Sequence, residues 1–253
     1  MNPFERHGIH HLSASSLNLF AAEPALWVAT KLLRRAIPAG LAAQRGKAIE
    51  RAVALGLFNP DLPVEECQAA AEAEYDALTA FAPPAERDKE RKMIAPIVAT
   101  ALAELRQYGI PDPPADGEPQ HRIEVRFPEI PVPLVGYLDF LFSAHGIVVD
   151  LKTVTRIPTE ISPAFARQGA LYVAGTNRQM RFAYAAPKRI AVYALDDPAV
   201  HLAALSVIAQ RLGRFLSISA DPHALAAIVC PDYEDFRWSD PAARAIGREV
   251  FGF

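Results

Sequence analysis

GYLDFLFSAHGIVVDLKT, residues 136–153, is apolar almost throughout, yet it carries Asp139, Asp150 and Lys152. Its short runs of Leu, Phe, Ile and Val on either side of a His145-Gly146 turn predict an antiparallel hairpin. Side chains alternate along a strand, so Asp150 and Lys152 share one face and Leu151 takes the other. Two carboxylates brought together at a sheet repel each other and are costly to desolvate unless a cation lies between them. An oxygen-only donor set completed by water suits Mg²⁺ or Mn²⁺ better than zinc. A neighbouring ammonium can orient or deprotonate a water for attack, and its own pKa can fall in such a place. These parts together suit metal-assisted hydrolysis of a phosphodiester.

The chain on either side supplies the frame. The first 109 residues read as helices. LSASSLNLFAAEPALWVATKLL has Ser13 or Ser15 as a cap and Pro24 as a bend or division. GLAAQRGKAIERAVALG gives a second helix, PVEECQAAAEAEYDALTAFA a third, and the segment from Pro83 to Tyr108 a longer fourth. GIPDPPADGEPQ, residues 109–120, is a proline-rich connection, after which HRIEVRF, LVGYLDFLF and GIVVDLKT predict three strands. Ser162-Pro163 starts a helix through FARQGALYVAG, MRFAYAA and RIAVYAL are two more strands around Pro187-Lys188, and residues 196–253 are mostly helical. The predicted fold class is α/β: one domain over 1–253, with a mainly helical part (1–109), a catalytic mixed sheet (120–195) flanked by helices, and a helical C-terminal part.

Global properties narrow the function. The chain has 253 residues, 51% of them apolar and 22% charged, the profile of a single globular domain. No apolar run reaches the roughly 20 residues of a membrane span, and MNPFERHGIHH is not a basic-then-apolar leader, which predicts a cytoplasmic protein that contacts no membrane. Cys67 and Cys230 are far apart and outside any CxxC spacing, so they are read as buried thiols; a disulfide framework, a structural zinc site and a four-cysteine iron–sulfur cluster are unsupported. The net charge is −3, but its distribution is uneven. Lys152, Arg156, Arg167, Arg178, Arg181, Lys188 and Arg189 are offset only by Glu160, and Lys31, Arg34, Arg35, Arg45, Lys47 and Arg51 only by Glu50. One positive groove on a mildly acidic protein would show this pattern.

Asp139 followed by Asp150-Leu-Lys152 resembles the PD-(D/E)xK nuclease motif, and GYLD resembles the GxxD form of its RecB-like and lambda-exonuclease-like branches. Gln168 and Tyr172 match the Q-x-x-x-Y pair that the RecB-like branch carries on the helix after the lysine strand, a spacing that puts both on one helical face. LSASSLNLF is similar to that branch's serine-containing opening helix, and Gly46-x-x-x-Glu50 stands where its G-x-x-x-H helix supplies a metal ligand. The family histidine is here Glu50, itself a competent Mg²⁺ ligand. The four cysteines that hold an iron–sulfur cluster in some relatives are missing.

The resemblance implies a restriction-endonuclease-like fold and an Mg²⁺- or Mn²⁺-dependent deoxyribonuclease. Its metal would be held by Asp139, Asp150 and Glu50, its attacking water served by Lys152, and its substrate strand held by Gln168 and Tyr172. Arg45, Lys47, Arg156, Arg167, Lys188 and Arg189 would contact phosphates, which gives affinity without sequence information. No GxxxxGK[ST] helicase motif is present, and a stand-alone chain of this kind resembles phage-type recombination exonucleases, which implies a single-strand annealing partner and a homo-oligomer. The alternatives are an endonuclease or nuclease subunit of a repair complex, and a catalytically inactive DNA-binding subunit.

Several residues also have plainer readings. Asp139 could lie exposed on an edge strand, Asp150 and Lys152 could be a surface ion pair, and Gln168 with Tyr172 a polar stripe. Glu50 taken alone reads as an exposed helix residue beside Lys47 and Arg51. Glu124 is either a further active-site acid or a solvent-facing strand residue. His7, His10 and His11 sit at an N-terminus expected to be mobile, and no role falls to them or to His121, His145, His201 and His223.

Overall fold

The structure, a computed structural model, describes residues 2–116 and 118–252. Helices α1 (Pro3–Arg6), α2 (Ala14–Ala22) and α3 (Pro24–Trp27) open the chain, and α3 runs on into a π-helical turn, Val28–Leu32. Next come α4 (Leu41–Phe58), α5 (Val64–Leu78), α6 (Pro84–Arg91) and α7 (Ile94–Leu105). Strands β1 (His121–Val125), β2 (Leu134–Leu138), β3 (Phe140–Phe142) and β4 (Ile147–Thr153) follow. The chain continues through α8 (Pro163–Thr176), β5 (Gln179–Ala186), β6 (Arg189–Ala194), α9 (Pro198–Ser217), α10 (Pro222–Ala226) and α11 (Pro241–Phe251).

The local signals explain most of these boundaries. Ser13 Oγ accepts the Ser16 amide at 3.1 Å and caps α2, while Pro24 begins a new helix in place of continuing the old one. Ser162 Oγ accepts the Phe165 amide at 3.3 Å, with Pro163 as the first residue of α8. The single helix expected between Pro83 and Tyr108 is two. Pro96 has no N–H for the Lys92 carbonyl, so α6 ends and α7 restarts with Pro96 in its first turn, where no such bond is needed.

The hairpin also differs from its expected form. LVGYLDFLF is not one strand but two, broken at Asp139, with β2 pairing antiparallel to β1 and β3 antiparallel to β4. The main sheet has the order β3-β4-β5-β6, with β4 and β5 parallel and joined across α8. Its two faces bury two cores. Phe140, Phe142, Ile147, Val149, Leu151, Ala183 and Ala185 pack on α4, α5 and α7. Val148, Met180, Phe182 and Tyr184 pack with Leu171 and Tyr172 of α8, Leu17 of α2 and Leu205 of α9. The result is a mixed α/β fold of the restriction-endonuclease-like kind, a sheet covered by helices on both faces.

Two smaller expectations fail. The N-terminus is anchored: Phe4 is buried, and His7 Nε2 lies 3.2 Å and 3.0 Å from the carbonyls of Leu216 and Ser219. Cys67 is buried as expected, but Cys230 is exposed.

Candidate active site

Strand alternation sends Val149 and Leu151 toward α4 and α7, which leaves Asp150 and Lys152 facing α8. Asp150 is 1% exposed. Lys152 Nζ lies 2.6 Å from Asp150 Oδ2 and 3.3 Å from Gln168 Oε1, and sits 4.5 Å from the centre of the Phe165 ring. Gln168 Nε2 donates in turn to Tyr172 Oη at 2.9 Å. The i, i+4 pair on α8 thus forms one chain of polar contacts with the β4 lysine. Gly136 makes room for it: a Cβ there would come within 2.8 Å of Tyr172 Cε1.

Asp139 occupies the break between β2 and β3. Because β3 begins only at residue 140, among the described residues no strand pairs with Leu151 on that side, and Asp139 Oδ2 accepts its amide at 2.9 Å. Asp139 Oδ1 accepts from Gln120 Nε2 at 3.3 Å, and the same nitrogen donates to Glu50 Oε1 at 2.8 Å. Glu50 reaches this point from α4 on the strength of a close approach. A Cβ at Gly46, one turn earlier, would lie 3.3 Å from Thr153 Oγ1 at the end of β4.

The electrostatics follow from burial. Desolvation, with Asp150 and Glu50 nearby, pushes the Asp139 carboxyl well above the usual carboxylate range. Burial also raises Asp150, against the pull of Lys152, and burial with Asp150 raises Glu50. Burial alone would lower Lys152, but Asp150, Asp139 and Glu50 outweigh it and its pKa goes up, so the expected fall does not occur and the side chain is held as an ammonium. Burial raises Tyr172 strongly and pushes Tyr184 up to about 12, with Asp150 adding to both, so both stay neutral phenols; Tyr172 accepts from Gln168, while the buried Tyr184 hydroxyl has no hydrogen-bond partner among the described residues.

Glu50, Asp139, Asp150, Lys152, Gln168 and Tyr172 all line one cleft of about 320 Å³, together with Ser13, Ser15, Gly136 and Gln120. The donor set fits a hard divalent cation: three carboxylates whose burial disfavours their charged forms in the metal-free protein, and no sulfur or imidazole among them. Among the described residues, however, no three acidic, histidine or cysteine side chains converge closely enough to hold a metal as they stand.

The remaining expectations divide. Lys47, Arg156, Lys188 and Arg189 are exposed, and Lys47 borders the cavity next to the cleft. Arg167 is half-buried and donates to Asn18 Oδ1 at 2.6 Å. Arg45 corrects the sequence reading: it is 3% exposed, pairs with Glu90, and reaches the Thr153 carbonyl at 3.4 Å, so it faces the interior and no phosphate. Glu124 is solvent-facing, held below the usual range mainly by its bond from Arg122 and also by Arg126. Sequence reasoning missed Gln120, Phe165 and Tyr184. For Gln120 a signal existed: β1 pairs His121 with Leu138, and one further step of that register sets Gln120 opposite Asp139.

A family model described as the PD-(D/E)XK nuclease superfamily matches residues 11–244. The chain belongs to this superfamily. Membership implies a metal-dependent nuclease with DNA as substrate, and PD-(D/E)XK nucleases generally use Mg²⁺ or Mn²⁺. No curated protein matches the chain. A solved structure, "Crystal structure of SSO0001", is similar over 67% of this chain and 85% of that one at 15% identity, with a TM-score of 0.35. No described helix is long and apolar enough to cross a membrane.

Proposed function

We propose that residues 1–253 of this PD-(D/E)XK protein form one nuclease domain, a Mg²⁺-dependent DNA exonuclease of the RecB-like or lambda-exonuclease-like kind, acting in recombination or repair. The observation that carries the subtype is the polar chain from Asp150 through Lys152 and Gln168 to Tyr172, in which the Q-x-x-x-Y pair is wired to the D-x-K strand. Asp139, Asp150 and Glu50 are the residues to hold the cation, which when bound would polarise the scissile phosphate and an attacking water. Lys152, kept charged by the acids around it, orients that water as a donor. Gln168 fixes the Lys152 ammonium, and the tyrosine behind Gln168 fixes its amide. Lys47, Arg156, Arg167, Lys188 and Arg189 contribute backbone contacts, so binding should weaken steeply with salt. No helix-turn-helix, zinc-finger or basic-zipper pattern is found to read base edges, which leaves DNA ends or shape to set selectivity. A single-strand annealing partner and a ring-shaped oligomer rest on analogy with phage exonucleases.

The test uses purified protein, Mg²⁺, and equal amounts of one plasmid in supercoiled and linear form. Progressive loss of the linear form alone supports the exonuclease reading. Nicking or linearisation of the circle would replace it with an endonuclease, and no cleavage with Mg²⁺ or Mn²⁺ would replace it with a non-catalytic DNA-binding subunit.

A further inference from the structure

Gln120 touches two of the three carboxylates proposed above to hold a cation. Asp139 Oδ2 already accepts the Leu151 amide at 2.9 Å, which makes Oδ1 the less engaged oxygen toward a metal, and Gln120 Nε2 donates to Oδ1 at 3.3 Å. The same nitrogen donates to Glu50 Oε1 at 2.8 Å. A carboxamide nitrogen carries two protons and no acceptor, so it can serve two carboxylates at once without adding charge. It thereby does for Glu50 and Asp139, weakly, what a cation would do strongly. The convergence that a metal requires is missing among the described residues, and an amide set between two of the acids is a physical cause for that.

Gln120 also has somewhere to go. It borders a second cavity of about 370 Å³ that Glu50 and Asp139 also line and that extends to Lys47, Ala54, Phe58 and Pro119. The residue precedes β1, outside the β1–β2 ladder, so its backbone can shift along with its side chain without breaking a ladder hydrogen bond.

We infer that Gln120 is a displaceable strut: its amide ties Glu50 to Asp139 in the metal-free protein and swings into the second cavity when a divalent cation takes Asp139 Oδ1. The inference rests on the reading of Asp139 and Glu50 as metal-holding residues. Because amide and cation compete for one oxygen, the strut stabilises the metal-free form and lowers metal affinity by the same factor.

The experiment titrates Mn²⁺ by calorimetry into the 253-residue chain and its Gln120→Ala and Gln120→Asn variants, without DNA, and records melting in EDTA. Both variants should bind Mn²⁺ roughly tenfold more tightly, the lower end of what a hydrogen bond to a charged group contributes. Both should also melt lower in EDTA, since the shorter Asn cannot span the two acids. In the ¹⁵N-labelled unaltered chain the Gln120 side-chain NH₂ signals should shift on adding Mg²⁺, a readout that needs no variant to fold. Weaker Mn²⁺ binding by the variants would overturn the inference by making Gln120 a ligand, and unchanged affinity would show that the amide does not compete. If the unaltered chain binds neither Mn²⁺ nor Mg²⁺, the metal-site reading falls and the strut falls with it. Binding by the unaltered chain with no tightening in the variants would sink the strut alone.

Discussion

Replacing Arg45 by Ala separates a structural role from a DNA-binding one. Arg45 is 3% exposed and pairs with Glu90, whose side chain is 17% exposed. Removing one partner of a buried pair costs about 3–5 kcal/mol because the other charge is left without compensation. Glu90 keeps some access to water, which argues for about 3 kcal/mol. In a chain of this size each kcal/mol moves the melting point by about 2–4 °C, so Arg45→Ala should melt about 6–12 °C lower. The assay is a thermal scan of Arg45→Ala beside Arg45→Met/Glu90→Leu. The double variant removes both charges and fills the space with apolar side chains, so it should recover most of the loss. DNA binding by the folded double variant should keep the salt dependence of the unaltered chain. A melting point unchanged in Arg45→Ala, with binding weaker and its log–log salt slope shallower by about 0.9, would mean that Arg45 neutralises a phosphate after all and would refute its assignment to the interior.

The other predictions concern the carboxylates. Asp139→Asn and Asp150→Asn should abolish Mg²⁺-dependent cleavage of linear DNA while the far-ultraviolet circular dichroism spectrum is retained; cleavage by either variant would remove that residue from the metal site. Glu50→Gln should raise the Mg²⁺ concentration for half-maximal activity, while Glu50→His should retain partial cleavage; identical Mg²⁺ dependence in all three proteins would exclude Glu50 as a ligand. In EDTA the protein should melt progressively lower as the pH rises above about 4, the unfolded range of its carboxylates. Asp139, Asp150 and Glu50 all titrate above their unfolded range near pH 4, so the folded state holds more protons there, and the stability they contribute at low pH is lost as pH rises through their folded values. Asp139→Asn should flatten this profile, and a melting point that rises with pH above that range would contradict it.

What the sequence disclosed and what it hid have physical causes. Asp150 and Lys152 share a face because strand alternation is local and strict, and Gln168 with Tyr172 because a helix turn is equally local. Ser13 and Ser162 announced their helices by the same logic. The break at Asp139 left no trace, because apolar residues continue on both sides and what ends β2 is its partner, β1, not its own composition. Arg45 lies two residues from the exposed Lys47 and looks like part of the same basic group. Its partner Glu90 is on another helix, and burial set by non-local packing is invisible to a charge count. Gln120 was legible only through the register of a pairing that sequence reading had not drawn.

The contact between Asp139 and the Leu151 amide also gives the cleft a built-in reporter. That amide belongs to an inner strand, yet on its β3 side it is covered by a carboxylate and not by another backbone. Its hydrogen–deuterium exchange is therefore governed by whether one side chain stays in place, while its neighbours along β4 follow the opening of the sheet. Asn at position 139 still offers an oxygen and should leave the Leu151 amide slow to exchange. Ala offers none, and should make that one amide fast in an otherwise slow strand.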